Sequence, residues 1–259
     1  MYGEKEVVLP LFTGHVARGL LLHIVREVDI GTSGFLHKLG TVKPYSVTPL
    51  RFRSRSRVKE GFVLNPFFPC RVRFRLMKDE YAKYLLDFLQ TRDCLLVFDT
   101  TFRIASLRVR CKTYEELEKD AQETDGFKLQ FRSPPYLASL GSRYHWMFPD
   151  AVKVFSSLMR VWNLFSASRR FDKDEYVAYK EWLTRNVGVS EYELWTRMAV
   201  MRNKKAKGFV GWATYESDDL KSDWNRMTHT LARFAEYANI GGNRTGGFGV
   251  VEYVSEPRA

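Results

Sequence analysis

Three cysteines in 259 residues, at positions 70, 94 and 111, are too few and too unevenly spaced for a disulfide framework or a zinc knuckle. Each is expected to be a small buried hydrophobe. No long apolar run is present either: in the first helical region the longest uninterrupted stretch is Leu20 to Leu22, closed by His23, far short of the ~20 residues a membrane span needs. The opening MYGEKEVVLPLF carries acids where a secretory leader would be basic, so a cytoplasmic protein is expected. No histidine, carboxylate or cysteine cluster has metal-ligand spacing, and no cofactor is expected. What the chain does have is 45% apolar and 15% aromatic residues, which excludes disorder and supplies material for one large or two small cores.

Positive charge is in excess, 41 Lys and Arg against 30 Asp and Glu, a net of +11. Residues 1 to 115 hold 20 basic and 11 acidic residues, so most of the excess lies there. An extended cationic surface concentrates polyanions. Within RFRSRSRVK, Arg51, Arg53, Arg55, Arg57 and Lys59 recur at spacing two, which on a strand places them on one side. The pattern returns at Arg71, Arg73 and Arg75 and at Arg108, Arg110 and Lys112. None of these runs contains an acid. They are expected to be three strands of one sheet whose outer face presents about ten cations to solvent, as antiparallel sheets allow. Such a face is expected to bind nucleic acid or another polyanion, through phosphates and with strong salt dependence.

Periodicity gives a strand at Val7–Phe12 and a helix at His15–Glu27, then a Gly-rich break at Gly31 and Gly34 before FLHKL. The basic strands follow, then a helix through Tyr81, Leu85 and Leu89 and strands near 94–98 and 103–111. The order of strand, helix, two strands, helix and strand is that of a ferredoxin-like unit. The acidic stretch TYEELEKDAQETDG closes it. A second unit opens with GFKLQFRSPPYL, has helices near 149–165 and 172–186, a strand KGFVGWATYE, a helix capped by Ser222, and a last strand FGVVEYVS. An α+β protein is expected, with two tandem ferredoxin-like domains of antiparallel sheets, residues 1–120 and 121–259.

Between that last helix and last strand lies GGNRTGGFG, with Gly241, Gly242, Gly246, Gly247 and Gly249 within nine residues. Such a turn either offers backbone amides to phosphate or simply makes a tight connection. No Gly-Lys-Ser/Thr follows, so it is not a Walker loop.

The segments GFVGWATYE and LARFAEYANIGGNRTGGFGVVEY resemble the C-terminal signature of the CRISPR precursor-RNA processing endoribonucleases of the RAMP superfamily. Its hallmark is a glycine-rich loop ending in Gly-Phe-Gly, here Gly247, Phe248 and Gly249. GHVARGLLLHIV and FLHKLGTVKPYSVTPL resemble the family's first helix, histidine segment and Lys-Pro-aromatic-Ser entry to the following strands. FKLQFRSPPYL resembles the strand that opens its second domain. The resemblance implies cleavage of CRISPR repeat RNA without a metal, the ribose 2′-hydroxyl attacking the adjacent phosphate to leave a 2′,3′-cyclic phosphate and a 5′-hydroxyl. It implies His37 as the catalytic histidine and Lys43, six residues on, as a catalytic lysine. A histidine suits proton transfer near neutral pH, and a lysine stabilises charge growing on phosphate. The resemblance departs at Leu22, where some members carry a tyrosine that completes a triad.

The expected RNA contacts are Arg51, Arg53, Arg55 and Arg57 on the basic strand, His15 and Arg18 on the first helix, and Gly241, Gly242, Asn243, Arg244, Gly247 and Gly249 in the glycine loop. Repeat RNA is the expected partner, with subunits of a CRISPR effector complex and a second copy of the chain as further candidates. The competing reading is a non-catalytic RNA-binding subunit of such a complex.

Overall fold

In the computed structural model, residues 1–38, 40–121, 125–137, 144–201 and 204–255 are described. The chain divides into two compact units. The first is Met1–Arg110 with Ala199–Lys205 and Thr245–Gly247, and the second is Cys111–Met198 with Ala206–Arg244 and Phe248–Ala259.

The first unit runs β1 (Tyr2–Gly3), β2 (Val8–Pro10), α1 (Gly14–Val28), α2 (Ile30–His37), β3 (Tyr45–Val47), β4 (Ser54–Arg57), β5 (Gly61–Leu64), β6 (Phe74–Leu76), α3 (Ala82–Thr91), β7 (Cys94–Val97) and β8 (Thr100–Arg103). Three small antiparallel sheets, ordered β2-β5-β4, β3-β6 and β1-β8-β7, share these strands. In α1, Ala17, Leu20, Leu21, Ile24 and Val25 are buried along one side, the 3.6-residue stripe that the sequence shows. They share a core with Tyr45 and Val47 of β3, Leu64 of β5, Phe88 of α3 and Phe102 of β8. All three residues of β3 are buried, which fixes the segment that follows Lys43.

Asp29 joins α1 to α2. Its backbone amide donates to Val25 O (2.7 Å), ending α1, and its side chain accepts from Thr32 N–H (3.1 Å), starting α2. This corrects the expected Gly-rich break: Gly31 and Gly34 lie inside a helix, because the Asp29 cap outweighs the weak helix propensity of two glycines. Thr32 Oγ1 also donates to Asp29 Oδ2 (2.9 Å), Tyr84 of α3 donates to the same oxygen (3.3 Å), and Ser33 Oγ donates to Leu22 O (3.0 Å). These bonds hold α2 against α1 and α3.

The basic runs differ from expectation. β4 is four residues long, an edge strand exposed along its whole length. Its register shifts between Ser54 and Ser56, so Arg55 is the extra residue of a bulge and the one-sided alternation is interrupted there. The second run pairs with β3 in a different sheet, and the third is no strand: β8 ends at Arg103 and residues 105–111 are exposed and irregular. No common sheet carries all three. Of the cysteines, Cys70 is buried, whereas Cys94 and Cys111 are exposed, contrary to expectation.

The second unit runs α4 (Tyr114–Lys119), β9 (Gly126–Phe131), α5 (Ala151–Phe165), α6 (Lys173–Asn186), all but the end of β10 (Val187–Met201), all but the start of β11 (Lys204–Ser217), α7 (Asp223–Ala238) and β12 (Val251–Ser255), and its sheet has the order β10-β11-β9-β12. Phe127, Leu129 and Phe131 of β9 alternate into a core completed by Phe155 and Trp162 of α5, Tyr215 of β11 and Phe234 of α7. The caps foreseen at Asp172 and Ser222 are present, and Asp150 caps α5 in place of the expected start at Pro149. The long strand β10 has no counterpart in the sequence reading. The chain is thus an α+β protein built on several small antiparallel sheets.

Candidate functional site

His37 stands in the last turn of α2, exposed to solvent, and among the described residues it forms no hydrogen bond or ion pair. Lys43 reaches back to the same helix end. Its Nζ donates to Phe35 O (2.8 Å), two residues before His37, and to Thr41 Oγ1 (2.8 Å), and lies 5.4 Å from the centre of the Phe35 ring. The backbone amide of Lys38 closes the turn on Gly34 O (3.0 Å). A cation at a helix C-terminus meets the negative pole of the helix and carbonyls that have no intrahelical partner. Lys43 is 9% exposed, and burial, followed by the nearby charge of Lys38, holds its ammonium below the usual lysine range. The two residues selected from sequence are therefore brought to one helix end, His37 open to solvent and Lys43 tucked beneath it.

One residue beyond Pro44, a second group of first-unit residues forms around Tyr45. Its ring is buried and its hydroxyl bonds the Thr245 side chain, with Arg18 of α1 close enough to affect its ionisation. Burial dominates and pushes the phenol up to about 12. The tip Thr245–Gly247 is seated on the start of α1: a Cβ on Gly14 would meet Gly246 O at 1.9 Å, and one on Gly247 would meet Gly14 Cα at 2.9 Å and Pro49 Cδ at 3.1 Å. Gly247 has φ +79°, a conformation natural only to glycine. The N-terminus of α1, with His15 and Arg18 half-buried in its first turns, thus lies directly under the loop tip. Thr13, at its start, accepts the Leu50 amide on Oγ1 (2.8 Å) and ties it to the segment after β3.

The flanks of the glycine loop belong to the second unit and are closely packed. Ile240 N–H donates to Gly249 O (2.8 Å), Gly249 N–H to Pro134 O (3.0 Å) and Gly242 N–H to Tyr136 O (2.8 Å). A Cβ on Gly249, at φ +64°, would strike Ile240 O at 1.9 Å, and one on Gly241 would strike Tyr136 O at 2.6 Å. At these positions glycine serves close backbone approach, with the Gly242 and Gly249 amides engaged internally. Arg244 is buried, and its guanidinium donates to Ala238 O (2.8 Å) at the end of α7. Burial, with Arg160 adding repulsion, lowers its pKa to about 10. Gly242 and Asn243 are the exposed residues of this flank.

The basic runs place their arginines unequally. Arg55 is paired with Glu6, and Arg57 stands 5.9 Å from the Phe62 ring. Arg51 and Arg53, in contrast, line an open groove of about 410 Å³ together with Phe68, Arg71 and Arg73. Tyr45, Thr245 and Phe68 were not singled out from sequence. For Tyr45 the signal was present, as the aromatic of Lys43-Pro44-Tyr45-Ser46; nothing local marks the other two.

Among the described residues no group of three or more His, Cys, Asp or Glu is arranged to hold a metal, and no helix is long and apolar enough to cross a membrane.

Residues 129–251 match the family model described as CRISPR-associated endoribonuclease Cas6. No curated protein matches the chain in sequence. Solved structures match along almost its whole length. A Cas6 product complex shares 20% identity at a TM-score of 0.76, covering 96% of each chain. A Thermus thermophilus Cas6 shares 19% at 0.67, covering 98% of this chain and 95% of that one. A RAMP protein binding different RNA substrates shares 12% at 0.55, covering 96% and 94%. At these identities the likeness is one of fold. The matched model is that of the family the C-terminal segments resemble, and it spans a little under half of the chain.

Proposed function

We propose that the chain is an endoribonuclease that binds CRISPR repeat RNA and cuts precursor transcripts within the repeats by 2′-hydroxyl attack. The observation that carries the reading is the common placement of His37 and Lys43 at the C-terminal end of α2. The 2′ oxygen forms a bond to the adjacent phosphorus, and its proton leaves to a base. The bond from phosphorus to the 5′ oxygen breaks, and that oxygen takes up a proton. The products are a 2′,3′-cyclic phosphate and a 5′-hydroxyl. An exposed imidazole can take the first proton or give the second, and His37 is assigned this task. Lys43 is assigned the charge that builds on the non-bridging oxygens; an ammonium already relieved of much of its hydration interacts more strongly with an anion than one in bulk water. No metal takes part in this scheme.

RNA is held, in this reading, by Arg51 and Arg53, by Arg57 and the bulged Arg55 of β4, by His15 and Arg18 at the start of α1, and by the exposed backbone around Gly242 and Asn243. Gly241, Gly247 and Gly249 shape the loop, and Arg244 fastens it to the end of α7. The substrate itself supplies the test. Repeat RNA incubated with the protein in EDTA is expected to be cut at one place, giving cyclic phosphate ends. The same RNA with a single 2′-deoxyribose at that place is expected to bind and stay whole. Cutting of the deoxy substrate contradicts the scheme, and absence of any cut in repeat RNA leaves only the non-catalytic, RNA-binding alternative.

A further inference from the structure

The two basic runs that fail to share a sheet nevertheless meet. Arg51 and Arg71 face each other in an isolated antiparallel bridge, the amide of each donating to the carbonyl of the other at 2.8 Å. Thr48 N–H donates to Arg73 O (3.0 Å), and Arg73 N–H donates to Thr48 Oγ1 (3.1 Å). Arg53 and Arg73 lie two residues from the bridged pair, on the same two chain segments. All four are exposed, they line the same 410 Å³ groove, and among the described residues none forms an ion pair with an acid. Like charges set directly opposite on paired strands destabilise the pairing. Four unneutralised guanidinium groups around one groove are accordingly a poor solution for the free protein and a good one for a protein that holds an anion.

An aromatic group completes the groove. Arg53 is held over the Phe68 ring, 4.3 Å from its centre, and Pro69 and Val72 complete the apolar lining. A guanidinium on a phenyl ring is a platform on which a nucleobase stacks, a common device where proteins read unpaired RNA. The volume falls within the range of small-ligand sites and suits one nucleotide, whereas a duplex presents its bases already stacked and paired.

We propose that this groove is a binding site for an unpaired nucleotide of RNA, its flanking phosphates bridging Arg51 and Arg53 to Arg71 and Arg73 and its base stacked on the Arg53–Phe68 platform. The assignment rests on the RNA-binding part of the function proposed above and adds Phe68, Arg71 and Arg73 to it. It is independent of the cutting step.

Binding of a short, unstructured, repeat-derived RNA and of the same strand paired with its complement should be measured over a salt series, with the full chain carrying His37→Ala so that no RNA is consumed. With Arg71→Ala and Arg73→Ala added, the single strand is expected to bind roughly tenfold more weakly at low salt, and the slope of log K against log salt to become shallower by about 1.4, the share of two single-strand phosphates. The melting temperature of the free protein should hold or rise, because opposed cations have been removed. Phe68→Ala should weaken the single strand by roughly tenfold and the duplex far less, and Phe68→Tyr should restore it. An unchanged affinity and slope, a lowered melting temperature in the arginine variant, or an equal loss for single strand and duplex with Phe68→Ala overturns the proposal. If repeat RNA binds in this manner but the parent never cuts it, the endonuclease reading fails while the groove stands.

Discussion

At the scale of single residues, the site is made by side chains whose surroundings differ sharply within a few positions. His37 is open to water, as a group that exchanges protons with a substrate must be, while Lys43 and Tyr45 are buried on either side of Pro44. Tyr45 links β3 to the loop tip through its hydroxyl, and burial raises its pKa from 10.0 to about 12. Cys70, in the same core, is raised by burial from 9.0 to about 11. Both groups keep their protons in the folded chain at a pH where the unfolded chain has released them. The unfolded state then binds fewer protons, so stability falls as pH rises. Thermal melts are expected to show a constant melting temperature up to about pH 9 and a steady decline from there to pH 12. Tyr45→Phe should make the part of that decline above pH 10 shallower, with the buried phenols of Tyr179 and Tyr215 sustaining the rest; a parent curve flat to pH 12 contradicts the buried placement of these groups.

Among elements, those with strong local signals were readable in advance. α1, α5 and α7 show apolar stripes, Asp172 and Ser222 cap α6 and α7, and α3 and β9 follow their periodicities. Local pattern misleads where tertiary partners overrule it. Leu107, Val109 and Cys111 alternate with cations like a half-buried strand, yet no neighbouring strand pairs with them and they are exposed. Most of β10 is exposed and only Ala199 is buried, so it carries little alternation to detect; its partner is the adjacent β11. α2 was hidden by two glycines, and its start depends on one aspartate. Of the candidate site, the shared placement of His37 and Lys43 at one helix end was legible because both sit in one short local phrase. The Arg51–Arg73 groove was not, because it joins residues about 20 apart through one bridge. The glycines divide along the same line. Gly34→Ala adds a Cβ with nothing within 4 Å inside α2 and is expected to stabilise the protein by roughly 0.5–1 kcal/mol. Gly249→Ala drives a Cβ into Ile240 O at a positive φ and is expected to destabilise by more than about 2 kcal/mol. Denaturant melts of both variants check the pair, and equal effects contradict the packing assigned to the loop.

For the molecule as a whole, the excess of positive charge in residues 1–115 does not form one basic sheet. It is divided: Arg55 is neutralised by Glu6, Lys43 is internal, and Arg51, Arg53, Arg71 and Arg73 are left facing solvent around one groove. In the proposed function, charge holds RNA without choosing where it is cut, and the choice falls to the end of α2. The most direct test of that claim compares the parent with His37→Ala in EDTA, measuring cutting of repeat RNA and its binding separately. The account predicts affinity unchanged within about twofold and a cutting rate lower by roughly 10² to 10⁴, the usual contribution of a general acid or base. A His37→Ala protein that cuts at the parental rate contradicts it.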